Sequence, residues 1–308
     1  MPDSGGGRLT SRRKGTEWRC PTDDAEANVR EAGGYVMSIT LSQRTALVTG
    51  SSRGIGRGVA LKLAEAGVKR IAVNYVENDA AARETARLLK ERGAEVLLLK
   101  ANVGDVDQLK AMFSKVKEAW DSLDIYVSNA RASVATGFYA SPMEISLEQW
   151  HATLDTQATE FLVACREAVP IMGKNGRIFA ITYAPGSIKG SWQPWVAMGS
   201  AKAAKESLVR YFAVALGQRG ITVNSISPGA CDDSVLSGLP PDVFKTIKEW
   251  HESGWTPMRR LGLPADIGNA VVLLCTEQAA FITGQTLYVD GGASAMMADF
   301  PLPIQGIK

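Results

Sequence analysis

The chain has 308 residues, 45% of them hydrophobic and 21% charged, and a formal charge of +2. That is enough for one large α/β domain or two small ones, in the proportions of an ordinary globular protein. A near-neutral balance without a basic stripe among aromatics excludes nucleic acid as the expected partner, and no run of about 18 apolar residues predicts a membrane span. The four cysteines (Cys20, Cys165, Cys231, Cys275) are scattered and the only histidines are His151 and His251. No metal site is expected, and a reducing cytoplasm is the expected compartment.

Residues 1–38 carry Gly, Ser and Arg clusters without an apolar period. They read as a disordered leader or as residues upstream of a start at Met37, with the folded domain over 39–298 and a short tail at 299–308. From Arg44 onward, short apolar runs alternate with amphipathic segments, the pattern of βαβ units. Strands are predicted at 44–49, 70–75, 95–101, 123–128, 176–182, 221–227 and 285–290. Helices are predicted in GVALKLAEAG, AARETARLLKERG and DQLKAMFSKVKEAW, in a long stretch over 146–172, and over 199–218. Gly67 and Gly93 stand where helix C-terminal caps are expected. Seven nearly continuous apolar strands imply a doubly wound α/β fold of Rossmann type, one domain around a parallel sheet covered on both faces. Residues 234–263 interrupt the rhythm; Pro240, Pro241, Pro257 and Pro264 read as loop boundaries of a mobile substrate lid.

Directly after the first strand comes 49-TGSSRGIG-56, opening a helix. Glycines at 50, 54 and 56 let backbone turn tightly and approach a pyrophosphate held at a helix N-terminus. The second strand ends in Asn74-Tyr75, where NAD-selective folds place an acid against the ribose 2′-hydroxyl. No acid stands there, and Arg53 within the loop is able to pair with a 2′-phosphate, so NADP(H) is the expected cofactor.

From about residue 41 to 293 the chain resembles the short-chain dehydrogenases/reductases. The resemblance is carried by TGSSRGIG, the SNA at 128–130, the Lys202 helix, 227-SPGA-230 and 290-DGG-292, in family order. VNY, KANVG (100–104), GSIK (186–189) and RYFAVAL (210–216) are most similar to the enoyl-acyl carrier protein reductase branch, which uses Tyr-x₆-Lys in place of Tyr-x₃-Lys. The resemblance implies a cofactor contacted by Gly50, Ser52, Arg53, Gly54, Ile55 and Gly56 of the loop. It adds Asn74 and Tyr75, Asn102 and Val103, Asn129 and Ala130, Lys202, and Pro228 and Gly229. It also implies a small-molecule substrate, free or carrier-bound, and a tetramer built through the 146–172 and 199–218 helices.

The family's catalytic set is Asn, Ser, Tyr and Lys. Lys202 matches the lysine. The asparagine position holds Gln157, the serine position falls on Thr182 or Tyr183, and the tyrosine positions hold Met198 for x₃ and Trp195 for x₆. The family's Asn-Asn-Ala-Gly becomes Ser128-Asn129-Ala130-Arg131, and its Pro-Gly-x-x-x-Thr ends in Asp233. The phosphate end is kept while the chemistry end is rebuilt.

Three readings follow. In the first, an NADP(H)-dependent reductase of bulky hydrophobic enoyl or carbonyl substrates has moved its acid, with Tyr183 the candidate; Lys202 nearby would lower a phenol pKa of about 10. In the second, the fold binds NADP(H) for non-redox work as a cyclase, sensor or partner subunit, with Arg131 and Asp233 orienting a polar substrate. In the third, hydride goes to an iminium carbon, which needs no proton, and Asp232 or Asp233 stabilises the cation. Trp192, Trp195, Met198, Asp233, Trp250 and Trp255 are expected to line the substrate pocket. Cys231 and the two histidines read as structural or surface residues.

Overall fold

Alternating apolar runs and helices build the seven predicted strands into one parallel sheet, in the order β3-β2-β1-β4-β5-β6-β7. The computed structural model describes residues 41–131, 140–183, 194–233 and 236–296. The expectations for 1–38 and 299–308, and Trp192, lie outside the described residues. The strands are β1 Thr45–Val48, β2 Arg70–Tyr75, β3 Glu95–Lys100, β4 Ile125–Ser128, β5 Arg177–Ile181, β6 Thr222–Pro228 and β7 Thr286–Val289. The helices are α1 Gly54–Glu65, α2 Asp79–Glu91, α3 Val106–Trp120, α4 Leu147–Leu154, α5 Glu160–Ala168, α6 Val196–Leu216, α7 Pro241–Trp250 and α8 Pro264–Leu274.

Because side chains alternate along a strand, the sheet has two buried faces. Ala46, Val48, Ile71, Val73, Ile125 and Val127 meet α1 and α8 on one face. Leu47, Ala72, Tyr126, Ile178 and Ala180 meet α3, α5 and α6 on the other. Strand order reverses between β1 and β4, which pair through Ala46 with Ile125 and Val48 with Val127. In open sheets of this kind a ligand binds in the crevice outside the carboxyl ends at that switch point.

Three helix starts are capped by side chains, which give partners to first-turn N–H groups that otherwise lack them. Asn78 caps α2, Asp105 caps α3, and Ser146 with Gln149 forms a capping box on α4. Gly67 and Gly93 take positive φ just beyond α1 and α2, as expected of C-terminal caps. The predicted 146–172 helix is interrupted: α4 and α5 are joined by a π-helical turn at Asp155–Thr159. The four prolines do not simply bound a loop. Pro241 and Pro264 occupy the first turn of α7 and α8, where a missing N–H costs nothing. The segment expected to form a lid therefore carries a ten-residue helix followed by a second π turn, His251–Trp255.

Candidate active site

The loop between β1 and α1 is shaped by contacts that leave no room for side chains. Gly50 has φ +61°, and a Cβ there would lie 2.8 Å from Ala130 Cα. A Cβ on Gly56 would lie 2.5 Å from both Asn129 Nδ2 and the Gly50 carbonyl oxygen. The loop is tied to the end of β4: the Asn129 and Ala130 amides donate to Thr49 Oγ1 at 2.9 and 3.0 Å, and Asn129 Nδ2 donates to the Thr49 carbonyl at 2.9 Å. Unlike α2, α3 and α4, α1 has no side-chain cap and no acidic residue in its first turn. Its N–H groups and helix dipole face the crevice uncompensated, which fits a pyrophosphate.

Asn74 and Tyr75 serve this loop indirectly. The Asn74 amide is buried; its Oδ1 accepts from the Gly50 amide at 3.1 Å, and its Nδ2 donates to the Leu99 and Ala101 carbonyls at 3.2 and 2.9 Å. It is a strut joining β2 and β3 to the glycine turn. Tyr75 OH donates to Asp79 Oδ1 at 2.8 Å, and Lys100 Nζ reaches Asp79 Oδ2 at 3.3 Å. An acid thus stands near the tip of β2, supplied from α2, with both oxygens engaged. Arg57, absent from the expectations, clamps the loop from behind by donating to the Ser52 carbonyl at 3.1 and 2.6 Å and to Thr85 Oγ1 at 2.9 Å. Arg53 is exposed. Ile55 packs against the core and Val103 is buried within it, so Val103 offers the crevice only its backbone. Asn102 accepts from the Gly104 amide at 3.0 Å and is exposed. Pro228 ends β6, and the Gly229 amide donates to the Val289 carbonyl at 3.1 Å.

At the other end, α6 brings Lys202 beneath the end of β5. Its Nζ is buried and donates to the Ile181 carbonyl at 2.6 Å. Burial pushes this ammonium well below the ordinary lysine range; Lys205 and Arg131 push the same way, while Glu160 and Glu206 oppose. Met198, one turn earlier, is buried. Thr182 is buried against β6, its hydroxyl 3.5 Å from the Ile226 carbonyl, which leaves Tyr183 as the group at the serine position with an accessible side chain. The Tyr183 ring lies 4.9 Å from that of Trp195. The π turn directs Gln157 inward, where Nε2 donates to the Ala130 carbonyl at 2.9 Å and Oε1 is buried with no partner among the described residues. Arg131 is half-buried and its charge is felt at Lys202.

The expected pocket residues are brought together only in part. Tyr183 meets Trp195, and Trp250 meets Trp255 at 4.8 Å across the second π turn. Asp233 accepts from the Leu236 amide at 3.2 Å, and Asp232 is exposed. His251 is half-buried and bonds to Thr256 through Nδ1, so it is not an ordinary surface residue. Cys231 is buried, and burial holds its thiol up at about 12, as suits an inert filler.

Beneath Lys202 lies a charged cluster that the sequence reading missed. Glu160 is buried and takes hydrogen bonds from Tyr126 OH and from Ser128 Oγ, the latter at 2.5 Å. Lys205 Nζ, also buried, stands 3.5 Å from Glu160 Oε2 and 3.5 Å from the Ser128 carbonyl. The available signal was a lysine and a glutamate on the apolar faces of two helices.

Comparison with known proteins agrees with this geometry. Residues 50–294 match the family described as Enoyl-(Acyl carrier protein) reductase. The chain is 32% identical over 263 residues to trihydroxynaphthalene reductase of Colletotrichum orbiculare, covering 83% of this chain and 91% of that one. It is 34% identical over 252 residues to the 3-oxoacyl-[acyl-carrier-protein] reductase FabG of Staphylococcus aureus, covering 81% and 97%. Among solved structures, angucycline C-6 ketoreductase LanV with bound NADP superposes with a TM-score of 0.73 at 31% identity, over 83% of this chain and 98% of that chain. A glycine turn opening an uncapped helix at the switch point, a buried lysine on α6, and these likenesses over four-fifths of the chain lead to one assignment: it belongs to the short-chain dehydrogenase/reductase family.

Proposed function

We propose that this chain is an NADP(H)-dependent reductase that delivers hydride to a bulky, flat, conjugated ketone, with Tyr183 as the proton donor. The observation that carries this reading is the Tyr183 ring against Trp195 at the end of β5, two residues beyond the carbonyl that holds Lys202. A phenol is thereby offered beside the position that holds tyrosine in the Tyr-x₆-Lys pattern. The uncapped N-terminus of α1 and the exposed Arg53 suit a cofactor bearing a 2′-phosphate, and LanV was solved with NADP. The relatives named for a hydroxylated naphthalene and for an angucycline ketone support a flat, polycyclic substrate, which the aromatic surfaces of Tyr183 and Trp195 suit.

A reduced nicotinamide cofactor held at the glycine turn and the N-terminus of α1 would supply the hydride for the carbonyl carbon. As the C=O π pair moves onto oxygen, Tyr183 gives its proton to that oxygen. Lys202, whose ammonium is destabilised by burial, is well suited to return a proton to the phenolate. Gln157 fixes the Ala130 carbonyl beside the crevice. The same burial and the neighbouring Lys205 and Arg131 charges that disfavour the Lys202 cation also disfavour a cationic substrate there, which counts against the iminium reading.

Fluorescence titration with NADPH and NADH, followed by absorbance assays with aromatic ketones, enoyl thioesters and cyclic imines, tests this. NADPH binding with oxidation by the ketones is expected. Tighter NADH binding would reverse the cofactor assignment, and binding without oxidation by any class would favour the non-redox reading.

A further inference from the structure

We propose that Lys205 and Glu160 are positioning residues that hold Lys202 in place and fix the charge it presents to the crevice. The inference rests on the reading of Lys202 as the proton-handling lysine. Lys202 and Lys205 are three residues apart on α6, so they share one helix face, and that face is turned into the protein. Their side chains reach two neighbouring strands. Lys202 Nζ donates to the Ile181 carbonyl of β5, and Lys205 Nζ to the Ser128 carbonyl of β4, next to Ala180 of β5 in the sheet. Both ammonium groups are thereby pinned to backbone, side by side.

A buried cation needs a counter-charge, and Glu160 is the one that touches Lys205. Glu160 is itself held by Tyr126 OH and Ser128 Oγ, so its carboxylate is hydrogen-bonded from two sides before the lysine is counted. It stands three residues after Gln157, across the π turn. The two side chains consequently grip both ends of one short segment: Glu160 holds Ser128, and Gln157 holds the Ala130 carbonyl. Between them, Asn129 ties the same segment to the glycine turn through the Thr49 and Gly50 carbonyls. A rigid path therefore runs from the lysine helix through Glu160 to the phosphate loop.

The charged groups that face Lys202 are Lys205 and Glu206 on α6, Glu160 on α5 and Arg131 after β4; β5 contributes the Ile181 carbonyl. Three cations meet two anions. Lys205 is the largest electrostatic influence against the Lys202 proton, and Glu160 is the largest that favours it. Removing Lys205 and removing Glu160 should therefore move the Lys202 titration in opposite directions.

The test is an NMR titration of the full chain carrying ¹³Cε-labelled lysine, with Lys202 assigned by its loss in Lys202→Arg. In the unaltered chain Lys202 should titrate well below the ordinary lysine range, chiefly because it is buried. Lys205→Met should raise it, Lys205→Arg should return it to the unaltered position, and Glu160→Gln should lower it further. A Lys202 that titrates in the ordinary lysine range overturns the proposal even if no variant folds. An unmoved Lys202 in folded Lys205→Met does the same. Because the signal does not depend on turnover, a chain that fails to oxidise NADPH would sink the reductase reading and leave this result standing.

Discussion

The two ends of the crevice use different materials. At the phosphate end, backbone makes the site: Gly50 and Gly56 have no space for a Cβ, α1 begins without a cap, and the nearby side chains of Asn74, Arg57 and Thr49 hold the loop rather than face the ligand. At the chemistry end, side chains make the site, and they come from β4, the π turn, α5, β5 and α6. A backbone site tolerates almost no change in the residues that shape it. A side-chain site can exchange one group for another that reaches the same place from a different strand. That difference fits a glycine pattern in family order beside Gln157, Met198 and Trp195 at the positions where the resemblance implies Asn and Tyr.

The most damaging challenge to this contrast is at Tyr183. Tyr183→Phe deletes one oxygen, so NADPH affinity should persist while kcat falls by about 10²–10⁴-fold, the range of general acid catalysis. Trp195→Tyr in that background should restore part of the rate by placing a phenol before Lys202. Full activity in Tyr183→Phe would show that the acid lies elsewhere.

Gly56→Ala probes the backbone end. Its new Cβ would meet Asn129 Nδ2 and the Gly50 carbonyl at 2.5 Å. Overpacking of this kind costs about 1–3 kcal/mol, readable in urea unfolding. NADPH affinity should fall about 10–100-fold, by the same energy scale. Unchanged affinity would mean that the loop is not where the pyrophosphate binds.

Arg53→Ala should have a smaller and more selective effect. Loss of a charge-assisted contact at an exposed position is expected to weaken NADPH about tenfold and leave NADH unaltered. Equal weakening of both would assign Arg53 to a part that the two cofactors share, such as the pyrophosphate, rather than to cofactor choice.

The buried lysine also predicts a pH effect on stability. The Lys202 proton is held less tightly in the folded chain than in the unfolded one, so unfolding takes up a proton between the folded pKa and the ordinary value near 10.4. Stability should rise with pH through that window and be lost as pH falls through the folded pKa. Lys202→Met should flatten the slope in pH-dependent thermal melts; an unaltered slope would contradict the assignment. Smallest of all, the Cys231 and Cys275 thiols, both held up at about 12 by burial, should resist iodoacetamide at pH 8 in the native chain and react on unfolding, as mapped by mass spectrometry.

Much was decided locally and was therefore legible. Runs such as RIAVNY and EVLLLK form strands because β-branched and apolar residues fit a sheet buried on both faces, and their bounds needed little adjustment. The glycine spacing of 49–56 announced the turn because the constraint is on the backbone of those same residues. Of the four prolines of 240–264, Pro241 and Pro264 open helices, because proline disrupts a helix interior yet suits a first turn, and composition does not separate the two. The resemblance implies a cofactor contact at Asn74, and only the convergence of β1, β2 and β3 commits its amide to Gly50, Leu99 and Ala101. The Glu160, Lys205, Tyr126 and Ser128 cluster was invisible for the same reason. Its members lie as far as 79 positions apart, and sequence carries no signal for an interaction that exists only after three elements have packed. Local backbone demands are written in consecutive residues, whereas the burial that pairs one charge with another is a property of the folded whole.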